Sequence, residues 1–237
     1  MNIFITGTDT DVGKTIVTAG LAAVMQSLGY QTGIYKPVQT GCIVKNGSLV
    51  APDLEFIKSI DPNIITKSTY NFKEPIAPAL AAEMEGVKIS RQAFVNDYNE
   101  LRNKCEFVIV EGAGGILCPI TNDFFIRDLA KLLDTPMVVV TKPNLGTVNH
   151  TLLTLQSARA AKIDVRGVII SNYDKNSEDI SEKNAPWMIS RYSNERILGT
   201  LPNVVDNGKL NPERLISEIL KNLNLQMIFD IEIPKLM

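Results

Sequence analysis

The segment Gly7-Thr8-Asp9-Thr10-Asp11-Val12-Gly13-Lys14-Thr15 constrains this chain more than any other stretch of it. It follows the apolar run Ile3-Phe4-Ile5 and opens a stretch of helical period, so a glycine-bounded turn joins a strand to a helix. A phosphate-binding loop requires that context. Backbone N–H groups and a helix N-terminus face an anion, Lys14 reaches the terminal phosphates, and the Thr15 hydroxyl is placed for Mg²⁺. Thr10, Asp11, Val12 and Gly13 form the loop, and Ile16 carries the chain into the helix. The spacing departs from the usual pattern: five residues rather than four separate the two glycines, and Thr8 stands where the first glycine normally does. The bland alternative is a glycine turn with an exposed lysine, and the strand–loop–helix context argues against it.

Such a loop belongs to an α/β sheet, and the rest of the chain supplies one. Apolar runs of strand length recur at 2–6, 33–38, 106–110, 137–141, 165–171 and 196–199. Stretches of helical period lie between them at 14–28, 91–103, 124–133, 147–161 and 212–223. The runs are continuously apolar, as strands covered on both faces are. The expected fold is therefore α/β and P-loop NTPase-like, with a mostly parallel central sheet covered by helices on both faces. Asp123 and Asn211 read as helix N-caps, the second followed by Pro212 at the first helical position. From Gln39 to Arg91 the pattern loosens around Pro52, Pro62, Pro75 and Pro78, which predicts loops and short helices over the carboxyl edge of the sheet. With no linker and no internal repeat, residues 1–237 are expected to form one domain. The tail 226–237 is set apart: Met227, Phe229, Ile231 and Ile233 alternate, as in an edge strand or an arm reaching a partner.

Composition narrows the classes of function. Lys+Arg 24 against Asp+Glu 26 leaves a formal charge of −2, so no field spans the sequence to hold nucleic acid or an anionic membrane. No apolar run approaches the roughly 18–20 residues that cross a bilayer, and the N-terminus has no secretory pattern. Three cysteines, Cys42, Cys105 and Cys118, match neither a disulfide framework nor paired zinc ligands, and read as packing residues. The expected compartment is the reducing cytoplasm.

Two further motifs fall on the sheet edge that carries the phosphate loop. In Val110-Glu111-Gly112-Ala113-Gly114-Gly115 a carboxylate ends an apolar strand, where ligands bind in open α/β sheets. A carboxylate there needs a cation, so Glu111 reads as a metal ligand, with a capping role for the Gly112 turn as the alternative. In Tyr35-Lys36-Pro37-Val38 a lysine ends the second strand. Alone it reads as solvated; beside Lys14 and Glu111 it reads as a second cation for a transferring phosphoryl group. Asp53 is equally an acidic residue of a first helical turn.

These motifs, together with Leu145-Gly146-Thr147-Val148-Asn149-His150, stand in the order and approximate spacing of the dethiobiotin synthetase family, which the chain resembles from Met1 to about Pro202. The resemblance implies an ATP- and Mg²⁺-dependent reaction in which 7,8-diaminononanoate takes up CO₂ and closes a ureido ring, giving dethiobiotin, ADP and phosphate. It implies that Lys14 and Lys36 stabilise charge on the phosphoryl group and the carbamate, and that Thr15, Asp53 and Glu111 hold the metal. It places Gly112, Ala113 and Gly114 beside nucleotide and substrate. Asn172, otherwise an ordinary turn residue, would read the adenine edge, with Leu201, Pro202 and Asn203 beside it. Thr40 would contact substrate, as would Gly146, Thr147, Val148 and Asn149, contributed by the partner of a homodimer whose sites lie at the subunit interface. The chain departs from the family at Asp11, where a glutamate is common, and at Lys142-Pro143-Asn144, which puts no basic residue directly before Leu145.

His150, the only histidine, reads either as a proton acceptor or as a residue orienting the first turn of its helix. Two other functions share the phosphate loop: a regulatory or partitioning NTPase switch, and an amide synthase domain of the cobyrinic-acid type. Many switches carry an extra lysine early in the loop, where this chain has Thr8, and the amide synthases normally work with a glutamine-hydrolysing partner.

Overall fold

Strand β1 (Asn2–Gly7) has apolar side chains on both sides and buries both. Ile3 and Ile5 enter one core while Phe4 enters a second. The same alternation recurs in β6 (Phe107–Gly115), where Phe107 and Ile109 face the first core and Val108 and Val110 the second, and in β9 (Met137–Thr141). Period-two side chains and two apolar faces are what a sheet sandwiched between helical layers demands.

The computed structural model describes residues 1–206 and 209–232. Its central sheet adds β2 (Thr32–Gln39), β5 (Ile65–Asn71), β10 (Val165–Ser171) and β11 (Ile197–Leu201), in the order β11-β10-β9-β1-β6-β2-β5. Every neighbouring pair is parallel. Small antiparallel ribbons lie outside it: β3 (Ile43–Lys45) with β4 (Ser48–Val50), β7 (Pro119–Thr121) with β8 (Phe124–Phe125), and β12 (Val205–Asp206) with β13 (Lys209–Leu210). Helices α1 (Lys14–Ser27), α2 (Pro52–Ile60), α8 (Pro212–Asn222) and α9 (Leu225–Phe229) cover the first core. Helices α3 (Pro78–Met84), α4 (Arg91–Arg102), α5 (Ile126–Leu132), α6 (Thr147–Ala160) and α7 (Ile180–Ser193) serve the second. The expected parallel sheet with both faces covered is present. The chain lays β2, β5 and β6 on one side of β1 and then β9, β10 and β11 on the other, so the carboxyl end of β1 is a switch point, and the phosphate loop leaves the sheet there.

Three local expectations need correction, and one helix, α7, was not expected. β5 forms an edge of the sheet where loops were expected; its sequence Ile-Thr-Lys-Ser-Thr-Tyr-Asn is half-buried and polar, so it carries no continuous apolar run. α7 contains Pro186, a helix breaker by sequence, and is started by Asp179, whose carboxylate accepts from the Ser181 and Glu182 amides. α5 begins at Ile126 rather than Phe124. Phe124 and Phe125 are drawn into the ribbon with Pro119–Thr121, and Asp123 accepts from Thr121 and Arg91 instead of capping; Asp128 takes the Phe125 amide at 2.9 Å. Within the tail, Leu225–Phe229 is a capped helix with Leu225, Ile228 and Phe229 buried, neither edge strand nor arm, because its apolar side chains fill a gap beside β1, β10 and β11. Ile233, the last position of the alternation, lies outside the described residues. The Asn211 cap is present, its side chain accepting from the Arg214 amide at 3.0 Å. Among the described residues no helix is long and apolar enough to cross a membrane.

Candidate functional site

The loop between β1 and α1 is shaped by two left-handed residues, Asp11 (φ 54°) and Gly13 (φ 95°). Aspartate tolerates that region better than most side chains, and glycine meets no barrier there. Gly13 is required for a second reason: a Cβ on it would run into the Ser171 hydroxyl at the end of β10. The loop's first residue is tied to β9, the Thr8 amide donating to Val140 O at 3.0 Å and its hydroxyl lying 3.0 Å from that of Thr141. Thr141 in turn meets the Thr147 hydroxyl at 2.8 Å and that of Thr151 at 3.4 Å, a buried hydroxyl cluster joining the loop to the start of α6.

Lys14 folds back across the loop and donates to the Asp9 carbonyl at 2.7 Å; its side chain is buried rather than solvated. Burial, with the nearby Lys36 charge adding to it, lowers its pKa to about 8. Lys36, from β2, is buried and donates to Glu111 Oε1 at 2.6 Å while standing 2.6 Å from Asp53 Oδ2. Burial disfavours its charge, but the Glu111 and Asp53 carboxylates outweigh that and hold its pKa above the ordinary lysine value. Glu111 also accepts from the Thr15 hydroxyl at 2.8 Å, and its other oxygen, Oε2, is buried with no partner among the described residues. β6, β2, α1 and α2 thus deliver Glu111, Lys36, Thr15 and Asp53 to one point.

These residues wall a cleft of about 530 Å³ together with Thr10, Asp11, Gly13, Lys14, Ile16, Thr40, Ala113 and Gly114, all named by the sequence, and Val38, Gln39 and Pro75, which were not. A second cleft, about 220 Å³, shares Asp11, Gly13 and Ile16 and continues to Asn172, Pro202 and Asn203, with Lys142 and Ser171 beside them. The two adjoin along the phosphate loop, which suits a ligand with an anionic end and a flat polar end.

Other named residues have different surroundings. Val12 and Leu201 turn their side chains into the core, leaving their backbone for the loops. Gly112 is buried, and a Cβ on it would meet Ile126 and Phe4, so it is a packing glycine in the strand. Gly146, Thr147, Val148 and Asn149 line neither cleft of their own chain. Thr147 is buried against Thr141, whereas Asn149 is exposed. His150 is also exposed, near Gly146, and lines neither cleft. Burial raises the pKa of all three cysteine thiols, Cys42 to about 11, which fits packing rather than nucleophilic chemistry. A larger cleft of about 650 Å³ opens at the opposite edge of the sheet, around Arg166, Arg196 and α9. Arg166 there is paired with Asp164 and Asp230. Size alone would misplace the site; the converging loop, lysines and carboxylates identify it.

Comparison with known proteins gives the same direction. The family described as an AAA domain matches residues 1–211. ATP-dependent dethiobiotin synthetase BioD of Bacillus licheniformis is 36% identical over 91% of this chain and 91% of its own length. The chain belongs to the dethiobiotin synthetase family. The Thermodesulfovibrio yellowstonii protein of the same name is 32% identical over 96% of this chain and 98% of its own, and that of Bacillus subtilis 33% over 96% of each. Solved structures resemble it at the level of fold. The MinC:MinD cell division complex of Aquifex aeolicus aligns with a TM-score of 0.58 over 98% of this chain and 97% of its own, at 15% identity. The Pyrococcus furiosus cell division ATPase MinD aligns at 0.56 over 93% and 99%, at 14% identity. The family is set by the sequence relatives, and MinD proteins share its P-loop NTPase architecture.

Proposed function

We infer that this chain carries out the reaction that names its family: ATP-dependent carboxylation and ring closure of 7,8-diaminononanoate to dethiobiotin, with ADP and phosphate released. One observation carries the assignment of roles, the Lys36 ammonium gripped by Glu111 and Asp53 in the cleft that also holds Lys14 and Thr15.

One substrate amine adds to CO₂ and loses a proton, giving a carbamate. A carbamate oxygen attacks the γ-phosphorus and ADP leaves. The second amine attacks the mixed anhydride carbon, phosphate leaves, and the ureido ring is closed. Lys14 and Lys36 are the groups of this chain that stabilise the charge building on the phosphoryl and carbamate oxygens, a service worth about 10²–10³ in rate per group. The phosphate loop from Thr10 to Ile16 cradles the phosphates, and Asn172, Pro202, Asn203 and the backbone of Leu201 take the base. Thr40 touches the substrate, and Ala113 and Gly114 let backbone approach it.

Mg²⁺ fits the residues present. Among the described residues Glu111 Oε2 is a buried carboxylate oxygen without a partner, and Thr15 and Asp53 add hard oxygen donors beside it. Among the described residues no cluster of three or more His, Cys, Asp or Glu gathers, so the ion would draw the rest of its shell from phosphate oxygens and water. Bound there it would neutralise phosphate charge.

We also propose a homodimer in the cytoplasm, built from one domain per chain. The placement of Gly146, Thr147, Val148 and Asn149 outside their own chain's clefts supports a site completed by a partner's loop. The test is mass spectrometry of the purified protein incubated with diaminononanoate, bicarbonate, Mg²⁺ and ATP. Dethiobiotin with equimolar ADP is expected. ATP hydrolysis that ignores the diamine and yields no dethiobiotin would overturn the reading in favour of a switch.

A further inference from the structure

β2 ends on Gln39, which lies in the wall of the catalytic cleft with Lys14, Lys36 and Glu111 and is only 7% exposed. Its side-chain amide nitrogen donates to the Thr40 carbonyl at 2.9 Å. A carbonyl oxygen only accepts, so the end of the amide facing Thr40 is the NH₂ and the orientation of the group is fixed. The other end, Oε1, is buried with no partner among the described residues. A buried acceptor left unpaired is costly, and on a residue of the cleft wall a ligand N–H would satisfy it.

The neighbouring groups are unsuited to an amine. Lys14 and Lys36 only donate, and repel a protonated amine. Glu111 and Asp53 each give one oxygen to Lys36, and the unpaired Glu111 oxygen is the one assigned above to Mg²⁺. A neutral amide oxygen binds an amine N–H without favouring the ammonium form as strongly as a carboxylate does, which suits an amine that must act as a nucleophile.

We propose that Gln39 Oε1 accepts a hydrogen bond from one of the two substrate amines, making Gln39 a residue that recognises the diamine. This rests on the reaction proposed above, and the first control separates the two: wild-type protein that forms no dethiobiotin fails the reaction, not the residue. With wild type active, Gln39→Met keeps the length and removes the acceptor. The KM for the diamine should rise about tenfold, while the KM for ATP stays within about twofold. Of two competitive inhibitors, 7-aminononanoate and 8-aminononanoate, one should lose the same affinity and the other none. Gln39→Glu restores an acceptor but carries charge. It should hold the diamine more tightly than Gln39→Met and move the activity profile to higher pH, because the carboxylate keeps the amine protonated. An unchanged diamine KM in Gln39→Met overturns the proposal. So does equal weakening of ATP and both inhibitors, or a Gln39→Glu profile superimposable on wild type.

Discussion

Lys36 Nζ lies 2.6 Å from Glu111 Oε1 and 2.6 Å from Asp53 Oδ2, so one buried ammonium bridges carboxylates from β6 and α2. Its raised pKa makes it a permanent cation, a fixed electrostatic group and not a base. The pKa of Lys14, in the same cleft, is held down by burial, and its ammonium donates to the neutral Asp9 carbonyl. The two lysines named together by the sequence are therefore in opposite electrostatic situations before any phosphate arrives.

Glu111→Gln keeps the shape of the side chain and removes its charge. Activity should need a higher Mg²⁺ concentration, with nucleotide binding measured without metal less affected. Because Lys36 would keep Asp53 but lose the Glu111 charge, stability should also fall, by less than the ~3–5 kcal/mol that a fully uncompensated buried charge costs. A Mg²⁺ titration and a thermal melt that both match wild type would remove Glu111 from the site.

For Lys14 the sign of the pH effect follows from the depressed pKa. Below about pH 8 folded and unfolded chains both hold the proton, and the folded state bears the full cost of a desolvated charge. Between about 8 and 10.5 the unfolded chain still holds a proton that the folded one has released, so stability rises with pH. Lys14→Met should abolish turnover by about 10²–10³ or more. It should also stabilise the ligand-free protein at pH 7 by up to about 3 kcal/mol, with the gain shrinking toward pH 10. Melting curves of both proteins at pH 7 and 10 decide this, and a destabilised variant at pH 7 contradicts it.

The same pKa predicts proton uptake on binding. At pH 8 about half of the ligand-free molecules have a neutral Lys14, and triphosphate in the loop restores the ammonium. ATP binding should then take up about half a proton, seen by calorimetry in buffers of different ionisation enthalpy, and the uptake should vanish in Lys14→Met.

How much of this was legible in the sequence depends on distance along the chain. The phosphate loop is local, so Gly13, Lys14 and Thr15 could be read from nine consecutive residues. Glu111 and Lys36 were legible because each ends an apolar run, and parallel strands bring such ends to one edge. Their pairing with each other and with Asp53 was not, since no local pattern shows which of several edge residues meet. β5 was missed because an edge strand need not be apolar, and α7 because Pro186 reads as a break. Gln39 was passed over as the start of the loosened stretch, and Thr141 as the last residue of an apolar run; what distinguishes Thr141 is a hydroxyl 3.0 Å from Thr8, 133 positions earlier.

The placement of Thr147 changes how a shared site should be tested. In the resemblance to the family the loop at Gly146 serves the partner's substrate, and a negative charge on that loop would repel the substrate carboxylate. Thr147 is the wrong carrier for such a charge. Its hydroxyl is buried 2.8 Å from Thr141, and a glutamate there would disrupt its own chain's link to the phosphate loop. Asn149, two residues on and exposed, carries no such burden. Asn149→Glu should fold normally and lose activity by repulsion, while Lys14→Ala loses it by absence of a cation. Denatured together in equal amounts and refolded, the two inactive proteins should form half mixed dimers under random pairing, each with one intact site, and recover about a quarter of wild-type activity. Each parent refolded alone should stay inactive. A mixture that remains as inactive as its parents, with subunit exchange verified by mass, would show that each chain builds its site unaided.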